Sequence, residues 1–340
     1  MPTQASAASR PRLRLLLQLG LVAGLVAIVV MVLWSGAGAV LAAIVKAGWG
    51  IALIVLVRLL AVSVAGLGWW CLLPQDAIRP AALMVGLRLM REGLNCLLPA
   101  GQVGGEVVGA RLLALSGVGA GLAAATVLVD MLVQLFTQLI FAALGFAGLV
   151  SFAADRSALP WIGLGLIVGA VAVTAFFLAQ RLGLFLLVER FLIWLAERSG
   201  WHVLGGLVHL HRSIQVIYRQ PSRLLASSAV HLLGWAIGAL EIWLALRFMG
   251  HPVSLLEALV LESLVHAIRS AAFFVPSGLG AQEGGFVLLG GLIGLPVETA
   301  LALSLIKRVP ELAIGVLAMA AWQTVEARRA SHRAPADRAG

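Results

Sequence analysis

The sequence predicts an all-α polytopic membrane protein, and three observations carry this prediction. Of the 340 residues, 61% are hydrophobic and only 11% are charged, with a mean hydropathy of +1.03, whereas soluble domains have about 25% charged residues. Apolar runs of about 20 residues, the length that crosses the hydrocarbon core as a helix, recur along the chain. Two further apolar stretches are interrupted by proline and glycine. We therefore expect about six spanning helices plus two re-entrant hairpins of broken helix.

The six expected spans follow the apolar runs in order. They cover residues 15–34, 49–73, 119–150, 159–180, 224–249 and 298–322. The first run is longer than the h-region of a signal peptide, which has about 7–15 residues, so it is interpreted as an uncleaved span. The short stretch before Gly48 is rich in small residues and is predicted to be a loop.

These spans are expected to form a single transmembrane domain over residues 15–325. Within it, the polar segment 181–223 repeats its apolar residues at helical spacing, which is typical of helices lying on the membrane surface. His209 and His211 in this segment are two residues apart and therefore do not share a helical face. Neither a metal site nor a cofactor is expected.

The distribution of the +9 net charge predicts the orientation in the membrane. Basic residues are concentrated in segment 181–223 and in two tails, 1–14 and 326–340, which are expected to be disordered. Because cytoplasmic segments of membrane proteins are enriched in lysine and arginine, six spans with both termini in the cytoplasm satisfy the charge pattern. Nucleic-acid binding is a poor explanation for this basic excess, and no nucleic-acid partner is expected.

The two interrupted stretches, 91–117 and 267–294, cannot be plain spanning helices. Their breaks contain Pro99, Gly101, Gly104 and Gly105 in the first, and Pro276, Gly278 and Gly280 in the second. The arms around the first break, 81–98 and 103–116, are short for a span. Irregular backbone at membrane depth is tolerated only inside protein or along a water-filled cavity. Each stretch is therefore predicted to enter and leave the membrane on the same face.

The two hairpins are predicted to be copies of one unit. The positions of Pro99, Gly101, Glu106 and Gly117 recur 177 residues later as Pro276, Gly278, Glu283 and Gly294. The same offset pairs Asp130 with Lys307 in the span that follows. The repeat halves are expected at about 75–150 and 252–325. Three predicted spans separate the hairpins, so the second copy should be upside down, as in the inverted repeats of many transporters.

A predicted substrate path is formed by charged residues in these halves. Its members are Glu106, Asp130, Arg269, Glu283, Lys307 and Arg308. A carboxylate at membrane depth costs about 2.5–3.5 kcal/mol even on insertion scales, which favours a functional role for Asp130. Two pairings are open, Asp130 with Arg269 and Glu283 with Arg308.

Structural roles for these polar residues also stay open. Glu106 and Glu283 fall early in the second arm of each hairpin, where a carboxylate stabilises the positive end of a helix dipole. Four polar residues on one face of the third span could form a hydrogen-bonded seam between helices rather than a transport path. These are Thr126, Asp130, Gln134 and Gln138.

Two sequence blocks resemble a known membrane family. The first is NCLLPAGQVGGEVVGARLL with the following AAATVLVDMLVQLFTQLIF, and the second is LESLVHAIRSAAFFVPSGLGAQEGGFVLLG with LALSLIKRVPEL. They are similar to the flippase-like family, the transmembrane region of lysylphosphatidylglycerol synthases, and most similar to its stand-alone, hopanoid-biosynthesis-associated branch. The resemblance covers residues 15–325 and implies a bacterial inner-membrane protein that moves a hopanoid or an anionic or modified phospholipid between leaflets. It carries the six path residues over as functional positions.

Departures from that family's pattern define the alternatives. The synthases add a soluble aminoacyl-transferase domain, whereas this chain ends about 18 residues past its last predicted span, so lipid aminoacylation is not expected. The absence of a GxxxxGK[ST] motif indicates a protein that is not ATP-driven by itself. An integral-membrane lipid-modifying enzyme is one rival, although no HExxH or GxSxG motif occurs and we expect no enzymatic activity. A scaffold for lipid-synthesis enzymes is the other. A membrane lipid is the expected partner, and the oligomeric state is open.

Overall fold

The computed structural model describes residues 37–97, 104–152, 157, 159–182, 209–272, 278 and 280–333. This part of the chain contains α-helices, one short 3₁₀ turn (Gln75–Ala77) and no strand, which confirms the predicted all-α class. The helices are α1 Ala37–Ala47, α2 Gly50–Cys71, α3 Ala81–Leu97, α4 Gly104–Leu115, α5 Ala120–Phe152, α6 Leu159–Arg181, α7 Leu210–Tyr218, α8 Pro221–Phe248, α9 Leu255–Ala271, α10 Ala281–Leu292 and α11 Val297–Arg333.

Four described helices, α2, α5, α6 and α8, are long and apolar enough to cross a membrane. They coincide with four of the six predicted spans. The predicted first span and the tail 1–14 lie outside the described residues. The predicted last span is helix α11, where Lys307, Arg308 and Glu311 interrupt the apolar run.

Two segment predictions differ from the structure, and a third is only partly described. The stretch before Gly48 is helix α1 rather than a loop, because its sequence AGAVLAAIVKA contains mainly residues that tolerate a helix well. Helix α11 continues to Arg333, so the start of the predicted disordered tail is helical. Of the predicted surface segment 181–223, helix α7 is described, and residues 183–208 lie outside the described part.

The predicted 177-residue offset holds in the helices themselves. Helices α4 and α10 both have 12 residues and begin 177 residues apart, and α5 and α11 begin with the same separation. Gly117 and Gly294, which follow the shorter helices at the same offset, both have positive φ angles, of 94° and 81°. This left-handed conformation favours glycine, so the same helix termination recurs in both halves.

Contacts between the halves are reciprocal. Helix α3 packs on α11 while α9 packs on α5, and the largest helix–helix contact joins α2 to α8. An interface in which each element contacts the counterpart of its partner is isologous and implies an approximate two-fold relation. The repeat is larger than predicted, because α2 and α8 also end 177 residues apart. It extends from α1–α5 to α7–α11 and leaves α6 without a counterpart among the described helices.

Each half is built around its own apolar core. One core is made mainly by α2, α3, α4 and α5 together with α7, and the other mainly by α8, α9, α10 and α11 together with α1. The buried charged residues lie where these helices meet. No residue in the most apolar segment of helix α6 is buried, so this helix lies at the outside of the described bundle.

Candidate functional site

A network of buried and partly buried charged side chains lies on helices of both halves. Its members are Arg58, Arg88, Arg91, Glu92, Glu106, Asp130, His231, Glu241, Glu262, Arg269, Glu283, Lys307, Arg308 and Glu311. Charges at membrane depth are rare and are normally paired with one another or face a bundle interior. Below, this set is called the charge network.

Asp130 is the centre of the network in the first half. Its side chain is completely buried on α5. Its Oδ2 accepts hydrogen bonds from Arg91 at 2.8 Å, Arg88 at 3.4 Å and Gln134 at 2.8 Å. Its Oδ1 lies 3.0 Å from Nε2 of His231, which comes from α8 in the second half. This carboxylate therefore joins three helices, α3, α5 and α8.

Arg91 is held on three sides. It bonds both Asp130 and the first-turn carboxylate of α4, Glu106. Its guanidinium carbon also lies 4.5 Å from the ring centroid of Trp69, an arrangement that is favourable for a cation over an aromatic face. The Trp69 indole in turn donates to Thr126 at 3.2 Å. The Arg91 charge is thus fixed by side chains from α2, α4 and α5.

Asn95 positions the start of α4. Asn95 Oδ1 accepts from the Gly105 backbone N–H at 2.7 Å, and its amide donates to Glu106 at 3.1 Å. An early helical N–H otherwise lacks a partner, so Asn95 supplies the cap. Gly105 itself allows α3 and α4 to approach, because a Cβ atom there would lie only 2.2 Å from the Arg91 carbonyl oxygen.

We expect Gly105→Ala to lower the free energy of unfolding by about 1–3 kcal/mol, because the clashing atom is backbone and cannot move aside. Thermal unfolding in detergent checks this result. Gly284→Ala is the matched control, since nothing lies within 4 Å of a Cβ there and alanine is the better helix former by roughly 0.5–1 kcal/mol. Equal effects of the two substitutions would contradict the close approach of α3 and α4.

In the second half, Glu283 combines a capping role with an ion pair. Its Oε2 accepts from the Gly280 backbone N–H at 2.7 Å at the start of α10. Its Oε1 accepts from Arg308 Nε at 2.8 Å and from Ser304 at 3.1 Å. The structural role that the sequence left open is therefore present at Glu283, together with a buried salt bridge to α11.

Arg269 occupies a different environment from the one expected. It bonds Glu311 on α11, and it donates to Gln282 at 2.8 Å. Gly278 lies beside it with φ +59°, and a Cβ there would lie 2.6 Å from Arg269 Cγ. Glycine at this hairpin break is therefore required both by the backbone conformation and by the arginine that passes it.

Lys307, the repeat counterpart of Asp130, is bound by carboxylates from two helices. Its Nζ donates to Glu262 on α9 at 2.6 Å and lies 3.6 Å from Glu241 on α8. Gly238 leaves space for this arrangement, because a Cβ there would lie 2.8 Å from Glu262 Oε1. Like Asp130, Lys307 therefore ties three helices together.

Arg58 on α2 joins the two parts of the network. Its Nη2 lies 2.8 Å from Glu92 in the first half and 3.9 Å from Glu311 in the second. Arg58 is buried, so this arginine faces the interior of the bundle, where a charge at membrane depth is tolerated. One guanidinium nitrogen thus lies between a carboxylate of each half.

All six predicted path residues are members of the charge network. Of the two open pairings, the structure contains Glu283 with Arg308. The pairing of Asp130 with Arg269 is wrong, because these residues bond Arg91 and Glu311 respectively. The three path cations each contact a carboxylate, so none presents a vacant site for a phosphate in this conformation.

The predicted hairpin breaks are partly described. Gly104 starts α4 and Gly280 precedes α10, with Gly105 and Gly278 at close approaches to arginines. Pro99, Gly101 and Pro276 lie outside the described residues. The polar stripe of α5 faces protein along its whole length, with Gln138 donating to Ser270 on α9 at 2.8 Å. Its two ends form a seam between helices, and its middle belongs to the charge network.

Sequence reasoning missed several members of the network as site residues. They are Arg58, Arg88, Arg91, Glu92, His231, Glu241, Glu262 and Glu311. The available signal was their charge within apolar helices, which is rare unless it is paired.

A small cavity, with room for about one water molecule, lies in the second half and is lined by polar groups that include Arg58, Glu262 and Lys307. Among the described residues, no group of three or more His, Cys, Asp and Glu could hold a metal ion.

This geometry defines a polytopic membrane protein whose two repeat halves enclose a buried charge network. The chain matches the family described as the lysylphosphatidylglycerol synthase TM region over residues 20–318 and belongs to that family. Neither curated proteins nor solved structures gave a match. Membership indicates a function connected with membrane lipids.

Proposed function

We propose that this chain is a lipid translocator that moves a hopanoid or an anionic or modified phospholipid between leaflets without chemical turnover. We place it in the bacterial inner membrane with both termini in the cytoplasm. The observation that carries the proposal is the charge network at the meeting point of two repeat halves. A lipid-facing structural bundle needs no such network, since buried ion pairs often contribute little net stability.

The arrangement supports an alternating-access mechanism. Two halves related by an approximate two-fold axis can pack against one another in two equivalent arrangements, as in transporters built from repeats. Arg58 is the element that distinguishes these states. It lies closer to Glu92 than to Glu311 here, and a rocking motion would exchange the two distances while keeping the guanidinium paired.

The balance of charge in the network sets a condition on the substrate. Because the cations are already paired, an anionic headgroup enters by replacing a carboxylate at an arginine, and the displaced carboxylate must then take up a proton or contact water, since it is disfavoured as a buried unpaired charge. Arginine suits this exchange, since its planar guanidinium binds carboxylate and phosphate in the same forked geometry. The acyl or polycyclic part of the lipid stays in the bilayer outside the network.

The direct test is reconstitution of the purified full chain into phospholipid vesicles that contain a trace of headgroup-labelled phosphatidylglycerol. A membrane-impermeant reductant bleaches only the outer leaflet. With active protein, bleaching should continue beyond the outer-leaflet fraction, whereas protein-free vesicles should stop there. An unlabelled hopanoid in the same vesicles should slow the movement of the labelled phosphatidylglycerol if it competes for the same path, and this distinguishes the two lipid classes. If bleaching stops at the outer-leaflet fraction, as in protein-free vesicles, and the lipid is covalently converted, the enzyme alternative is supported instead.

The inverted arrangement of the hairpins has its own test. In a Cys71→Ser, Cys96→Ser background, we expect Pro276→Cys to react with an impermeant maleimide in intact cells. Pro99→Cys should react only after permeabilisation, because the predicted first hairpin opens to the cytoplasm. Labelling of both positions from one side would rule out the inverted hairpins while leaving the charge network unaffected.

A further inference from the structure

Glu241 is the carboxylate of the network with the least compensation. Its side chain on α8 is completely buried. Within the described part of the chain, neither of its oxygens accepts a hydrogen bond. Its closest cationic atom is Lys307 Nζ, at 3.6 Å, which is beyond hydrogen-bond distance. A buried carboxylate without hydrogen bonds is strongly disfavoured in its charged form.

Lys307 cannot compensate Glu241 fully, because it is already engaged. Its ammonium group donates to Glu262 at 2.6 Å. Two carboxylates, Glu241 and Glu262, therefore share one lysine inside the membrane domain. Like charges that share a site cannot both ionise without a large penalty, so one of the two holds a proton. The unbonded partner, Glu241, is the one that gains from protonation.

The other charged groups around Glu241 act in opposite directions, because Arg58 attracts its negative charge whereas Glu262 and Glu311 repel it. Arg58 on α2 lies between Glu92 and Glu311. On α9, Glu262 and His266 face the same region. These groups, together with Lys307 and Glu311 on α11, are the titratable and charged neighbours on the helices packed against this part of α8.

Counted over the described residues, the charge network contains one more carboxylate than it contains lysines and arginines. It contains seven carboxylates, Glu92, Glu106, Asp130, Glu241, Glu262, Glu283 and Glu311. It contains six lysines and arginines, Arg58, Arg88, Arg91, Arg269, Lys307 and Arg308. His231 does not help Glu241, because it contacts Asp130, which already has two arginines.

We propose that Glu241 is a proton-binding site, occupied at neutral pH in the conformation described. The ligand is a proton rather than a metal cation, since Lys307 and Arg58 repel a metal ion and the site offers no set of oxygen ligands. The small cavity beside Arg58, Glu262 and Lys307 has room for about one water molecule, which provides a polar step next to the site.

The site has a consequence that rests on the proposed lipid translocation. Loss of the proton creates a second negative charge beside Lys307 and draws the ammonium group away from Glu262. Because these side chains come from α8, α9 and α11, proton occupancy biases how the second-half helices pack. A proton gradient would then bias the direction in which the lipid moves.

The test of the proton site does not depend on transport. Infrared spectra of the purified full chain in detergent, recorded in H₂O and D₂O at neutral pH, should show the carbonyl band of a protonated carboxylic acid with its deuterium shift. Glu241→Gln should remove this band. Glu298→Gln, the same change at an exposed position on α11, should keep it.

A second variant separates protonation from a merely structural role. In Glu262→Gln, Lys307 is released to pair with Glu241, which should then ionise, so the band should also disappear although Glu241 is retained. The proposal is overturned if the wild-type chain lacks the band, or if Glu241→Gln retains it. Absence of the band from the wild-type spectrum would overturn the proposal even if a variant does not fold, and it would do so whether or not the vesicles show lipid movement.

Discussion

Replacing Asp130 by asparagine is expected to lower the free energy of unfolding by about 3–5 kcal/mol, the usual cost of removing one partner of a buried ion pair. Asp130 is completely buried, and it is bonded by Arg91 and Arg88. Neutralising it leaves Arg91 with Glu106 as its remaining carboxylate, and it weakens the contact with His231 across the two halves. Thermal unfolding of the detergent-solubilised chain measures this loss.

Asp76→Asn is the matched control for this substitution. Asp76 is exposed in the 3₁₀ turn before α3, and surface changes of this kind usually stay within about 0.5 kcal/mol. If Asp130→Asn unfolds at the same temperature as the control, Asp130 does not hold the helices of the first half together. The lipid assay then tells whether the residue acts in transport instead.

Replacing Arg58 by glutamine should have the largest effect on lipid movement. We expect the rate in reconstituted vesicles to fall roughly tenfold or more, which corresponds to about 1.4 kcal/mol or more in the barrier. Arg58 is the side chain that lies between the carboxylates of both halves, Glu92 and Glu311. Without it, these two negative charges face each other during the exchange.

Stability should suffer less from Arg58→Gln than from Asp130→Asn, by our estimate about 1–3 kcal/mol for a lost charged hydrogen bond. Glu92 keeps Arg88 at 3.4 Å, and Glu311 keeps its bond to Arg269. Arg247→Gln is the control, because Arg247 is an exposed arginine outside the charge network. A variant that is as stable as expected and still transports at the wild-type rate would remove Arg58 from the mechanism.

The helices themselves could be predicted well from the sequence, and the reason is local. Apolar runs of spanning length fix α2, α5, α6 and α8, and the prolines and glycines of each hairpin fix where α4 and α10 begin. The small residues of Ala37–Ala47 predict a loop where the structure has helix α1. The alanine-rich composition of Ala37–Ala47 favoured a helix all the same.

The partners in the network were harder to predict, because pairing depends on which helices become neighbours. Glu283 and Arg308 lie on α10 and α11, which are successive in the chain, and their contact was among the expected ones. Asp130 meets His231, which is 101 residues away, through the packing of α5 on α8. No local pattern specifies that contact. The 177-residue offset identified the charged positions, but it could not show which carboxylate pairs with which lysine or arginine.

Helix α6 contributes no residue to the charge network. Its position between the two repeat units determines how they are oriented relative to each other. With the hairpins re-entrant as predicted, the unit α2–α5 crosses the membrane an even number of times and returns to the face where it began. The single crossing by α6 then starts the second unit on the other face. On that predicted topology, α6, which contains no member of the charge network, gives the second unit the opposite orientation by crossing the membrane once. Its length and its apolar character should matter more than the order of its side chains, except at Gln180, which is buried and bonds to Leu128 and Tyr218.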